Sequence, residues 1–341
     1  MATSPVALEA DLELAVEFEH KMKDLWTELH TVIVGQDPIL ALVLTVLFAR
    51  GHALIVGVPG LAKTLLVKTL AQCLGWNFKR IQFTPDLMPS DITGTEILQT
   101  DSATGQRVMT FVRGPLFANL VLADEINRTP PKTQAALLEA MQELTVTAAG
   151  TTYRLDPPFF VLATQNPIEH EGTYPLPEAQ LDRFMFSINI GYPDRADELR
   201  IVSETTTTEL PSVRTVLGKE DVLRFQALVR RVPVSSHVLE YAVDLARASR
   251  PAGDGALPFV REYVEWGAGP RASQYLVLGA KTNALLKGRP SPSCDDVRAV
   301  ARPVLSHRII PNYKAAGEGI TPSNVIEMLL KNVKEPDYKG R

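Results

Sequence analysis

The chain has 341 residues, 45% hydrophobic and 22% charged, a globular composition with length for one large core and a second, smaller one. Its 35 Lys and Arg against 39 Asp and Glu leave a net charge of −4, which gives no overall footprint for nucleic acid or an anionic membrane surface. Two distant cysteines, Cys73 and Cys294, exclude a disulfide framework and a CxxC motif, and six scattered histidines without HxxxH spacing exclude a metalloenzyme centre. Residues 1–11 are acidic and lack the basic-then-apolar order of a signal peptide, and the longest apolar run, 38–49, is shorter than the roughly 20 residues a bilayer span needs. A reducing cytoplasm, without membrane insertion, is the expected location.

Leu8, Leu12, Ala15, Phe18, Met22, Leu25 and Leu29 recur at spacings of three and four, which predicts an amphipathic helix in an N-terminal segment, 1–30, packed on the protein's own core. The run 38–49 reads as a buried helix. From His52 the pattern changes to continuous apolar runs, 53–56, 120–123 and 159–163, each followed by polar or glycine residues and a helical stretch. Such strands are buried on both faces, so the expectation is an α/β fold with a parallel sheet covered by helices. Weaker strands at 78–83 and 185–190 bring the count to five. Two hairpins are expected among them: 95–100 with 107–112 across 101–105, and 144–148 with 151–155 across Ala149 and Gly150. After 191–193 helical periodicity dominates, with helices at 219–231, 235–249, 272–287, 293–306 and 322–334. This divides the chain into a core domain, 31–192, and a smaller all-helical domain, 193–341.

The chemistry begins at GVPGLAKT, residues 57–64, which lies directly after a buried strand and before a helix. A tight loop presenting backbone N–H groups at a helix N-terminus makes a concave anion site; Lys63 adds a charge for outer phosphates and Thr64 a hydroxyl for Mg²⁺. Ala62 stands where the phosphate-loop pattern has its second glycine, acceptable only if the backbone there does not require positive φ. The strand 120–123 runs into Asp124 and Glu125 at the C-terminal edge of the sheet, where Asp124 would hold the hydrated Mg²⁺ and Glu125 would act on the attacking water. Thr129 and Pro130 read as N-cap and first residue of the following helix. The strand 159–163 delivers Thr164 or Asn166 beside these acids if the strands are neighbours; an Asn-Pro turn is the plainer reading of Asn166. Arg183 precedes the last strand. Arg271 opens a helix of the second domain and would project towards a nucleotide at the domain junction.

Together these residues resemble the AAA+ ATPases and, within them, the MoxR group. The resemblance runs from about 34 to 286 and rests on IVGQD (33–37), GVPGLAKT (57–64), LVLADEINRTPPKTQAALLEAMQE (120–143), ATQNPIEHEGTYPLPEAQLDRF (163–184) and GPRAS (269–273). The MoxR phosphate loop similarly reads GxPGxAKT. The resemblance implies a P-loop NTPase sheet with two hairpin insertions and a helical lid, hydrolysing ATP with Mg²⁺ in a ring, expected to be a hexamer. Nucleotide contacts would come from Gly35, Gln36, Gly57, Pro59, Gly60, Leu61, Ala62, Lys63, Thr64, Leu65, Asp124 and Arg271, and metal ligation from Thr64 and Asp124. Lys63 and Thr64 would be Walker A residues, Asp124 and Glu125 Walker B, Asn166 the sensor-1 residue, Arg183 an arginine finger reaching the neighbouring subunit, and Arg271 the sensor-2 residue, in cis or in trans. Arg128 is a second candidate for the subunit boundary. The hairpins would face the pore and touch a client in chaperone-like remodelling, with a von Willebrand factor A domain partner on a separate chain. Two rival functions are a nucleic-acid motor, which the acidic balance disfavours, and a catalytically idle scaffold, which Glu125 and Asn166 disfavour.

Overall fold

A computed structural model describes residues 5–100, 106–168, 173–206, 211–253 and 256–337, with side chains from residue 9 onward. The expected turn 101–105, His170 and the side chain of Leu8 lie outside the described residues. Five strands, Ala53–Val56, Phe78–Gln82, Leu120–Asp124, Phe160–Gln165 and Phe186–Asn189, form one sheet. Its spatial order is 78–82, 120–124, 160–165, 53–56, 186–189, and every pairing is parallel. Register sets Asp124 opposite Gln82 and Ala123 opposite Ala163, so Gln82, Asp124 and Thr164 come to one edge side by side.

Alternation along the strands divides the interior in two. Leu120, Leu122, Phe160, Leu162, Ala53 and Ile55 face one core, and Val121, Ala123, Val161, Ala163 and Leu54 face another. The first core joins the N-terminal helix, the sheet and the C-terminal helices. Phe18 of helix Pro5–Leu29 packs edge-on against Phe48 of helix Asp37–Phe48 and Phe225 of helix Lys219–Arg231, each at 5.1 Å between ring centroids. Phe18, Met22, Leu25 and Leu29 are buried as the stripe requires, but Leu12 is 50% exposed, and Leu14 and Ala15 are only partly buried against the core. The second core lies under helix Pro131–Glu143 and the hairpin Thr145–Ala148/Thr151–Arg154.

The remaining long helices of the C-terminal region, Ser236–Ala248, Pro270–Leu286, Cys294–Leu305 and Pro322–Asn332, fall within about two residues of their expected bounds. Helix Arg195–Thr205 was not expected. None of its residues is buried, so it carries no apolar stripe to read; the Asp194 carboxylate accepts the Asp197 N–H at 2.8 Å and caps it. The short pair Val264–Trp266/Ile310–Pro311 also escaped notice. Two local readings change. Pro130, not Thr129, is the N-cap of helix Pro131–Glu143, and the Thr129 hydroxyl instead donates to Thr84 O at 2.7 Å. Leu144 is not a strand residue; it ends that helix at φ 54°. The turn after it has Ala149 at φ 50° and Gly150 at φ 78°, the twist that a two-residue hairpin loop needs. No helix among the described residues is long and apolar enough to cross a membrane.

The first hairpin, Gly94–Thr100 with Arg107–Arg113, stands clear of both cores except at its base. Phe111 stacks on Tyr153 of the second hairpin at 4.3 Å, and this contact ties the two insertions together.

Candidate functional site

The strand Ala53–Val56 ends at Gly57, and helix Lys63–Cys73 begins six residues later. The amides of its first turn have no carbonyl one turn earlier to donate to, so they and the positive end of the helix dipole are available to an anion. The loop beside them is open: a Cβ added at Gly60, where φ is 86°, would meet nothing within 4 Å. Ala62 caps the helix in the left-handed region, at φ 53° and ψ 21°. The condition set for it from sequence is therefore not met. The backbone does take positive φ, and an alanine occupies it at a cost of about 1–2 kcal/mol.

Residues 59–65 line a cavity of about 460 Å³ together with Arg80, Asp124, Glu125 and Asn166. Lys63 Nζ donates to Gly57 O at 2.6 Å. Burial pulls its ammonium below the usual range, and the Asp124 and Glu125 carboxylates pull it back up. Gly35, Gln36 and Gly57 do not line the cavity; the Gln36 amide braces the loop from behind by donating to Leu61 O at 3.4 Å.

On the opposite wall, Thr164 organises the two acids. Its hydroxyl donates to Asp124 Oδ1 at 2.5 Å and accepts the Glu125 N–H at 2.8 Å. The second Asp124 oxygen accepts from Arg80, at 2.7 and 3.0 Å. Glu125 sits in the left-handed region at φ 57°, and its carboxylate accepts from Gln82 at 2.8 Å and Arg128 at 3.0 Å. Asn166 is buried, and its Oδ1 accepts the Ile168 N–H at 3.1 Å. The Asn-Pro turn is therefore real, and it leaves the Asn166 amide nitrogen to offer a ligand in the cavity. Arg80 and Gln82 were missed from sequence. Their period-two polarity gave no clear signal, because Lys79 beside Arg80 is charged as well.

This donor set fits a nucleoside triphosphate with a hard divalent cation. An ammonium and helix-end amides face one side, and a hydroxyl, Thr64, shares the cavity with a carboxylate already stabilised against a cation by Arg80. Adjacent to these, Glu125 is a carboxylate placed to accept a proton or orient water.

Arg183 and Arg271 are brought together, but not at this cavity. With Arg50, His52, Gln142 and Tyr275 they line a cleft of about 170 Å³. His52 immediately precedes the strand Ala53–Val56, and Arg183 precedes Phe186–Asn189, so the cleft lies at the N-terminal edge of the parallel sheet, opposite the phosphate loop. Arg271 was expected to project towards a nucleotide at the domain junction, in cis or in trans; here it lies outside the phosphate cavity of its own chain, and its Nη1 donates to Asp182 Oδ2 at 2.9 Å. The Arg183 guanidinium has no side-chain partner among the described residues. Arg50, third in this cleft, belongs to no motif and had no sequence signal. His52 is held neutral between two backbone groups, accepting the Val161 N–H at Nδ1 and donating from Nε2 to Met141 O, both at 3.1 Å. Burial pushes its pKa down to about 4.

A family model described as "ATPase family associated with various cellular activities (AAA)" matches residues 52–186, and an AAA lid domain model matches 259–329. Chaperone MoxR1 of Mycobacterium tuberculosis is 43% identical over 94% of this chain and 84% of its own length. Protein MoxR of Paracoccus denitrificans is 30% identical over 90% of this chain and 94% of its own. A crystal structure from Cytophaga hutchinsonii, assigned as an ATPase, superposes with a TM-score of 0.90 at 42% identity, covering 97% of this chain and 99% of the other.

The His52 environment gives a pH dependence with a definite sign. Its folded pKa, about 4, lies below the ordinary 6.5, so the unfolded chain binds the extra proton between these values and folding loses stability as pH falls through the window. The loss from this group reaches about 3 kcal/mol. Urea unfolding at pH 7 and pH 4.5 should show a smaller decrease for His52→Gln than for wild type; equal decreases would remove His52 as a cause.

Proposed function

Because this chain belongs to the MoxR family of AAA+ ATPases, we propose that it works as an oligomeric ring, a hexamer, in which Mg²⁺-dependent ATP hydrolysis drives chaperone-like remodelling of partner proteins. The observation that carries the ring is the separation of the catalytic groups. Arg183 and Arg271 share one cleft at the sheet edge opposite the phosphate loop, so neither serves the nucleotide of its own chain, and the cleft of one copy completes the site of the next.

Within one copy, Lys63 and the first-turn amides of its helix bind the outer phosphate oxygens, and Thr64 and Asp124 would hold Mg²⁺, which would supply neutralisation of phosphate charge. Glu125 orients the attacking water and takes its proton, kept in place by Gln82, Arg128 and the Thr164 hydroxyl on its N–H. The Asn166 amide donates to the water or to a γ-phosphate oxygen. Arg183 and Arg271 of the adjacent copy stabilise the charge that develops on the transferring group, a contribution worth about 10³–10⁵ in rate for fingers of other P-loop enzymes. Residues 31–192 form the ATPase core with the 1–30 helix packed on it, and 193–341 form the lid. A partner with a von Willebrand factor A domain, on a separate chain, and a cytoplasmic setting complete the reading.

The first hairpin is the client-facing element in this scheme. Leu98 and Met109 pair across it, 57% and 55% exposed, a surface that a folded monomer has no use for.

The direct test is steady-state ATP hydrolysis with Mg²⁺ across a range of protein concentrations. Specific activity should rise with concentration in wild type and be lost in both Glu125→Gln and Arg183→Ala; activity independent of concentration, or indifferent to Arg183→Ala, would remove the shared site. For the hairpin, the double change Leu98→Ser and Met109→Ser should leave ATP turnover within about twofold while abolishing anisotropy changes of a fluorescent unfolded polypeptide. Undiminished polypeptide binding would remove the hairpin from client contact.

A further inference from the structure

Arg308 belongs to none of the motifs, yet it is among the most buried charges in the molecule, with its side chain 2% exposed. A buried guanidinium is tolerated only when its donors are satisfied, and all five of its N–H groups have acceptors. Nε donates to Asp182 Oδ1 at 2.7 Å; Nη2 donates to Asp182 O at 2.8 Å and Phe184 O at 2.7 Å; Nη1 donates to Met185 O at 3.2 Å and to Val304 O. Four of these five acceptors belong to the loop that carries Arg183.

Neighbouring side chains of the C-terminal helical region complete the grip. Tyr275 Oη donates to Arg183 O at 3.5 Å, His307 Nε2 donates to Phe184 O at 3.1 Å, and the Arg308 guanidinium lies over the Tyr275 ring at 5.1 Å. Four consecutive carbonyls, 182 to 185, are therefore held from outside the ATPase sheet. The Asp182 carboxylate spans the two arginines, with one oxygen on Arg308 and the other on Arg271.

We propose that Arg308, acting with Asp182, is a positioning residue that fastens the Arg183 loop to the helical lid of the same chain, so that Arg183 and Arg271 are presented to the neighbouring nucleotide as one rigid unit. This rests on the reading of Arg183 as a group acting in trans. The arrangement ties the finger loop to the lid as well as to the sheet, where the Met185 N–H donates to His52 O at 2.7 Å, so a lid displacement in one subunit changes hydrolysis in the next.

Arg308→Lys keeps the charge but cannot reproduce five donors in a plane. Displacing a catalytic group by about 1 Å costs on the order of 10²-fold, so kcat should fall by about that factor, with KM, binding of a fluorescent ATP analogue and the ATP-dependent assembly mass unchanged. In an Arg183→Ala background the same substitution should cost clearly less than in wild type, because the part of its effect carried by Arg183 is already gone and only the part that reaches Arg271 through Asp182 remains. If Arg308→Lys does not fold, Asp182→Asn is carried through the same cycle with the same expectation. An unchanged kcat, a lost assembly, or an equal further loss in the Arg183→Ala background overturns the clamp and leaves the shared site standing. Wild-type hydrolysis by Arg183→Ala alone overturns the shared site, and the clamp with it.

Discussion

Every functional feature of this molecule depends on five strands running in the same direction. A parallel sheet has two unlike edges, and here one collects strand ends while the other collects strand beginnings. The phosphate loop follows one strand, Asp124 ends a second and Asn166 follows a third, which gathers Lys63, Thr64, Asp124, Glu125 and Asn166, the residues of the proposed ATP site, without any long-range device. Arg183, because it precedes a strand, is sent to the other edge. The length of a strand thus separates the two halves of the proposed chemistry, and in the proposed ring a second copy of the chain reunites them.

The backbone leaves its comfortable conformations in and beside the site, as it also does at Arg50, Leu144 and Ala149. Gln36, Ala62 and Glu125 all adopt positive φ without being glycine. Each costs about 1–2 kcal/mol, and such costs persist only where surrounding structure over-determines the geometry. The over-determination is visible: Gln36 is tied to Leu61 O, Ala62 opens a helix anchored by buried Leu66 and Leu70, and Glu125 is fixed by Thr164, Gln82 and Arg128. Two hydrophobic cores, one on each face of the sheet, offset that strain. Because the larger one runs through Phe18, Phe48 and Phe225, the N-terminal helix and the lid share one interior with the ATPase sheet.

Much of this was legible in the sequence. Continuous apolar runs announced the parallel strands because both faces are covered, and adjacency of the strands carrying Asp124 and Asn166 followed once the order was known. Glycine-bearing turns gave both hairpins. What could not be read had specific causes. Arg195–Thr205 buries nothing, so periodicity had nothing to report. Arg80 and Gln82 matter only through register with Asp124, a tertiary fact. Whether Arg271 faces the nucleotide of its own chain was left open, because a helix start says where a chain turns, not which edge of a sheet it faces. Arg308 and Asp182 are ordinary charges until their loop is folded against the lid.

The central claim is that one copy supplies Lys63, Asp124 and Glu125 and the next supplies Arg183, and mixing two inactive variants tests it most directly. Chains carrying Glu125→Gln retain a working finger, and chains carrying Arg183→Ala retain a working phosphate site. Mixed and allowed to assemble with ATP, the two should recover hydrolysis that neither has alone. A mixture as inactive as its components would contradict a site shared between subunits.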